Sequence, residues 1–223
     1  MAESVESLLS VDWDVPRKPY PPKYVILPTG EKMVVREASR DEVPTLLRAI
    51  KPLLDVRTDY YDIVSARLYA ELLGWYRYRV RNEYCLVGVV DGKLVGIVNN
   101  RLYDQKTCIS LHTITLRRGR RIGAHLFAAK HEHAMENLGV EEILITAESP
   151  RGFRRWMLEW GLEYRPGVQH ELGGAACWVL TRRNYYEKRS KLVFGRRPVP
   201  KDLLEKSMEL EIITPDILRR ESD

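Results

Sequence analysis

Apolar positions along the chain alternate with short polar breaks, and the spacing changes several times between strand and helix periods. Tyr24-Val25-Ile26-Leu27, the break Pro28-Thr29-Gly30-Glu31 and Lys32-Met33-Val34-Val35-Arg36 predict a β-hairpin. Ser39 or Asp41 then caps a helix to about Ile50, with Val43, Leu46, Leu47 and Ile50 at helical spacing. A second helix covers roughly Tyr60 to Tyr78, its apolar side marked by Leu68, Leu72 and Leu73. Tyr84 to Val90 and Lys93 to Val98 are strands joined by Asp91-Gly92, a strong two-residue hairpin signal. Cys108 to Leu116 is the next strand. After it comes a Gly- and Arg-rich turn, then a helix from about Ile122 to Leu138 closed by Gly139.

Glu142 to Ala147 is a β-branched run that suits a buried strand. Ser149 caps a further helix with Pro150 in its first turn, and Phe153, Trp156, Met157 and Trp160 at i, i+3, i+4, i+7 predict its core face. Gly161 ends it, and short strands follow near Leu162–Tyr164 and Ala176–Thr181. The order β-α-α-β-β-β-α-β-α-β-β argues for an α/β (α+β) domain built on a mixed sheet. The expected organisation is an extended, proline-bearing arm over 1–22, one domain over 23–184, and a charged extension over 185–223 with an amphipathic piece at Leu203–Met208.

Composition narrows the class. The 223 residues are 44% hydrophobic and 30% charged, with a formal net charge of +5, as in an ordinary globular protein. No apolar run is long enough to span a bilayer, so no membrane partner is expected. Cys85, Cys108 and Cys177 are widely spaced with no CxxC pair, which reads as free thiols in a reducing compartment, the cytoplasm by default. His125, His131, Glu132 and His133 form no metal site on a helix, because His131 and His133 point to nearly opposite sides. No metal is expected.

Basic charge is dense at Arg117 to Arg121. Arg118-Gly119-Arg120-Arg121-Ile122-Gly123-Ala124-His125-Leu126 leads from a strand into a helix. A helix N-terminus offers unpaired N–H groups and the positive end of the helix dipole, and glycine lets backbone approach a ligand, so this turn suits a pyrophosphate. Its position favours a cofactor phosphate over nucleic acid.

Together with Asp91-Gly92-Lys93-Leu94-Val95-Gly96, the strand ending at Leu116 and Trp160-Gly161-Leu162, this run resembles the GCN5-related N-acetyltransferase (GNAT) superfamily, over roughly Lys32 to Arg183. The resemblance implies a mostly antiparallel sheet of six to seven strands with a central splay, flanked by helices, and acetyl-CoA as acyl donor. It also implies that Arg118 leads the pyrophosphate loop with Gly119, Arg120, Arg121, Ile122, Gly123 and Ala124. Thr113, Ile114 and Thr115 would line the pantetheine arm, and Ile143 to Ala147 would form the splayed strand. The acceptor would be an amine-bearing small molecule or protein, with a homodimer as one arrangement.

Two positions depart from the family pattern. Arg121 stands where the first glycine is usual; its N–H still donates if φ stays negative. Met157 stands where many members carry a tyrosine that protonates the leaving thiolate, and a thioether donates no proton. Amine attack on a thioester needs a base and an acid. Glu148, at the end of the splayed strand, is the candidate base, and His112 on the cofactor strand is a second titratable group. Tyr164 and Tyr103 are the candidate acids. Each also has a purely structural reading, a solvated strand end for Glu148 and a buried packing role for His112. Two functions follow: an N-acetyltransferase working by direct transfer, or a catalytically degenerate CoA-binding or interaction protein of the same fold.

Overall fold

The structure is a computed structural model that describes residues 5, 16–147, 149, 152–170 and 177–219. Among the described residues, eight strands form one sheet in the order β1-β2-β3-β4-β5-β6-β8-β7. The hairpin pairs β1 (Lys23–Ile26) with β2 (Lys32–Glu37). Helices α1 (Val43–Ile50) and α2 (Tyr61–Tyr76) follow. Then come β3 (Glu83–Val90), β4 (Lys93–Leu102) and β5 (Thr107–Thr115) as a meander. Helix α3 (Ile122–Glu132) continues into a π-helical stretch, His133–Asn137. The chain closes with β6 (Glu142–Ile145), helix α4 over 152–160, β7 (Glu163–Tyr164), β8 (Trp178–Thr181) and helices α5 (Arg182–Leu192), α6 (Lys201–Lys206) and α7 (Asp216–Arg219). All strand pairs are antiparallel except β5 with β6.

Each face of the sheet buries its own core. On one side Ile122, Leu126 and Phe127 of α3 pack with Met157 and Trp160 of α4 and Tyr185 of α5. On the other lie Val43, Leu46 and Ile50 of α1 with Leu68, Leu72 and Trp75 of α2. The sandwich follows from the apolar stripes of these helices, which bury only against a two-sided sheet. Asp91 and Gly92 both take positive φ (49° and 74°), the geometry of a tight hairpin turn, and Gly139 ends the α3 segment at φ 76°.

The structure corrects several expectations. The sheet has eight strands rather than six to seven, because the short edge strands β1 and β7 each pair fully with a neighbour. Strand β4 runs on to Leu102, and β6 stops at Ile145 rather than Ala147. Phe153 is 39% exposed and lies edge-on to Trp178, 5.6 Å between ring centroids, instead of joining the core. The cause is the winding of Phe153–Leu158 as a π-helix, whose longer turn moves an i, i+3, i+4, i+7 set off one face. The charged segment after 184 is folded onto the domain: α5 runs across residue 185, Tyr185 is buried against Trp160, and Leu210 and Ile217 enter the second core.

The segment before β1 and the segment after α5 meet on α3. Glu132 accepts hydrogen bonds from Tyr20 Oη (2.8 Å), Lys23 Nζ (2.6 Å) and Arg197 Nη1 (2.9 Å). Among the described residues, no helix is long and apolar enough to cross a membrane.

Candidate functional site

Strands β5 and β6 pair only from Thr107↔Glu142 to Ser110↔Ile145. Beyond Ser110 the β5 chain runs on to Thr115 beside β4 alone, so the sheet splays at its centre. At the splay β5 also bulges. Leu111 and His112 face the single residue Asn99, whose Oδ1 accepts from His112 N at 2.9 Å.

A cavity of about 440 Å³ opens between the end of β5, the start of α3 and the N-terminus of α2. Thr113, Ile114, Thr115, Arg118, Gly119, Arg121, Ile122, Gly123 and Ala124 all line it. Gly123 shows why a glycine stands there. A Cβ at this position would lie 3.2 Å from Thr115 Cγ2, and would fill the space between helix and strand. A smaller inner hollow of about 60 Å³ continues into the splay between Ser110, Thr113, Thr146 and Ser149, walled by Trp156 stacked on Phe127 at 4.0 Å. Ser149 Oγ accepts from Gly152 N at 3.0 Å, the cap expected at this helix start.

The loop arginines are held by carboxylates. Arg117 and Arg120 both reach Glu31, at 3.1 and 2.5 Å, and Arg120 does not line the cavity. The Thr29 hydroxyl, with Arg120 and Arg117 beside it, holds the Glu31 carboxyl below its usual pKa in spite of its partial burial. Arg118 donates to Asp59 at 2.5 Å and lies 5.0 Å over the Tyr61 ring. Burial works against its charge, but Tyr61 and Asp59 outweigh it and raise its pKa further. Arg118 N also donates to Asp216 of α7 at 3.1 Å.

Arg121 overturns an expectation. Its φ is +60°, left-handed rather than negative, at the residue that caps α3. Its carbonyl accepts from His125 N at 3.1 Å, so the strain sits where the helix begins.

Among the described residues, the candidates His112, Tyr164 and Tyr103 are not brought together. His112 is 1% exposed and lines neither hollow; its carbonyl accepts from Lys130 Nζ at 3.2 Å. Tyr164 is 54% exposed on β7, separated from β6 by β8, with its ring 5.0 Å from Trp178. Tyr103 is exposed at the opposite end of β5 from the loop. Glu148 lies outside the described residues. Met157 is buried in the core and does not line the cavity; Trp156 faces it instead.

His131 packs against Phe127 and Trp160, whereas His133 packs against Tyr20 and Tyr84. Burial pushes both imidazoles toward the neutral form, His133 down to about 3.

Asp59, Tyr61 and Val64 also line the cavity, and the pattern of the sequence did not reveal them. They lie more than fifty residues before the loop, and only the packing of α2 across β5 brings them to it. Tyr61 Oη reaches the Thr115 carbonyl at 3.3 Å.

No family model matches the sequence, and no curated protein matches it. Solved structures do match it. The GNAT domain of PAT from S. lividans superposes with a TM-score of 0.54 over 74% of this chain and 99% of its own, at 12% identity. This chain has the GNAT fold. RimJ of Mycobacterium smegmatis, solved in complex with CoA-disulfide, shares the GNAT-like architecture at a TM-score of 0.50, over 75% of this chain and 95% of its own, at 11% identity. An uncharacterized protein of Bacillus halodurans gives 0.55 over 78% of this chain and 97% of its own, also at 11%. At such identities the likeness is one of GNAT fold, and the chemistry is argued from the cavity.

Proposed function

We propose that the protein is an N-acetyltransferase that moves an acetyl (acyl) group from acetyl-CoA to an amine by direct attack. The observation that carries this reading is the convergence of the strand residues Thr113 to Thr115 and the loop residues Arg118 to Ala124 on one cavity. That cavity lies at a helix N-terminus and opens into the splay. The side-chain-free edge at Gly123, the donors at the start of α3 and the cationic loop fit a pyrophosphate. When bound, acetyl-CoA supplies a thioester whose carbonyl carbon an amine attacks, with release of the CoA thiol.

The rest of the work falls to this chain. The amides of Arg121 to Ala124 and the guanidiniums of Arg118 and Arg121 hold the diphosphate. Thr113 to Thr115 offer backbone groups to an extended arm, in place of the β6 pairing that ends at Ser110. Trp156 and Phe127 keep water from the inner hollow. Tyr61, whose hydroxyl lies 3.4 Å from Arg118 Nε, belongs to the diphosphate end of the cavity and is assigned no proton of the thiolate. Glu148, which follows the splayed strand in the sequence, is the proposed base. His112 and Tyr164 stand outside the cavity and are assigned no proton.

A second reading rests on Met157. The residue is buried and carries no donor, which favours a GNAT-fold protein that binds CoA without turning it over. Release of free CoA thiol, followed with a panel of small amines and amine-bearing peptides, tests the two. Protein-dependent release that saturates with acetyl-CoA and is lost in Gly123→Asp supports catalysis. Saturable CoA binding with no release from any amine favours the second reading.

A further inference from the structure

The loop from Arg117 to Arg121 carries four guanidiniums, and three are already matched to carboxylates of the same chain. Arg117 and Arg120 meet Glu31 of the β1–β2 turn, and Arg118 meets Asp59 of the turn before α2. A third carboxylate, Asp216, accepts from the Arg118 amide. These acids do not stand in equivalent places. Glu31 and Asp216 line a separate hollow of about 510 Å³ behind the loop, which shares only Arg117 with the first cavity. Asp59 lines the first cavity itself, on the guanidinium proposed to take the pyrophosphate.

The backbone adds an independent observation. Asp59 and Tyr60 both take left-handed φ, 55° and 61°, with no glycine in the turn. Consecutive non-glycine residues in this region are strained, and surrounding contacts must hold them there. Those contacts include Tyr60 N to Arg57 O at 3.2 Å, Asp62 N to Val56 O at 2.8 Å, and the Asp59–Arg118 pair.

We infer that Asp59 is a placeholder anion. It occupies the Arg118 guanidinium until a diphosphate takes its place, and so sets the affinity for the phosphate-bearing part of the ligand. The inference rests on the acyl-CoA reading of the cavity. Two anions that share one guanidinium repel each other across a few ångströms, so a bound diphosphate must break the Asp59 pair or tolerate its charge. Release of Asp59 also frees the strained turn that it anchors. Glu31 and Asp216, behind the loop, hold its shape without competing for the ligand.

The test is calorimetric titration of the full chain and its variants with CoA, and with pantetheine, which lacks the pyrophosphate. Asn tolerates left-handed φ better than most residues, so Asp59→Asn keeps the turn while removing the charge. CoA should bind Asp59→Asn about tenfold tighter than wild type at low salt, for the loss of one competing charge near a half-buried guanidinium. The gain should shrink at high salt, and pantetheine affinity should not rise with it. Glu31→Gln, which frees Arg117 at the edge of the cavity and leaves the Asp59–Arg118 pair intact, should tighten CoA less than Asp59→Asn does. Weaker CoA binding by Asp59→Asn overturns the inference, and makes Asp59 a positioning residue for Arg118 instead. An equal gain for pantetheine overturns it too. Failure of wild type and variant alike to bind CoA at millimolar concentration sinks the acyl-CoA reading itself and the inference with it.

Discussion

Glu83 opens β3 at 1% exposure, and burial drives its carboxyl pKa from the ordinary 4.5 up to about 7. A hydrogen bond from Asn99 Nδ2 at 2.9 Å and the more distant Arg101 at 3.5 Å pull it only part of the way back. Arg101 is shared with Glu71, which also repels Glu83. The folded state therefore favours the protonated acid. Below pH 4.5 folded and unfolded chains both hold the proton, and the contribution of Glu83 to stability is intact. As the pH rises from 4.5 to 7 the unfolded chain gives up its proton first, and stability is lost. At about 1.4 kcal/mol per pH unit, the interval from 4.5 to about 7 corresponds to about 3 kcal/mol. Glu83→Gln carries no such proton. Urea unfolding followed by tryptophan fluorescence at pH 5, 6, 7 and 8 gives the stability of each protein. Stability of the variant relative to wild type should climb through this window by about 3 kcal/mol and level off above pH 7. A difference that stays flat with pH, or falls, refutes the argument that Glu83 is buried as the acid.

Two further substitutions read strain and buried charge. Arg121→Gly removes a left-handed side chain at a cost of about 1–2 kcal/mol in the native protein, offset by about 0.5–1 kcal/mol of glycine chain entropy, so Tm should rise by a few degrees; a lower Tm contradicts it. Glu132→Gln leaves Lys23, 1% exposed, as a buried cation without its carboxylate and should cost about 3–5 kcal/mol in urea, whereas the paired change Lys23→Met with Glu132→Met should recover only part of that loss, because Tyr20 and Arg197 also lose their acceptor.

Much of this fold was legible because its signals are local. The Asp91-Gly92 turn, the β-branched β6 and the glycine after α3 each state their own geometry in a few residues. The loop proposed to hold the diphosphate stood out for the same reason: strand, glycines, arginines and helix are contiguous from Thr113 to Leu126. What could not be read depends on packing between distant segments. Asp59 and Tyr61 come to line the cavity only when α2 crosses β5. Leu210 and Ile217 reach the core from short segments with no periodic pattern. Arg121 keeps a side chain in a conformation that glycine would adopt freely, because the loop around it is pinned by Glu31, Asp59 and Asp216. The π-helical winding of α4 defeated a periodicity argument that assumed 3.6 residues per turn.

Binding of acetyl-CoA in the cavity between β5 and α3 is tested by calorimetric titration of acetyl-CoA against wild type and Gly123→Asp. The substitution places a side chain and a negative charge into space where even a Cβ comes within 3.2 Å of Thr115. Saturable binding by wild type that is lost in Gly123→Asp is the predicted result. No heat from wild type at millimolar ligand, or equal affinity in the two proteins, would contradict the account.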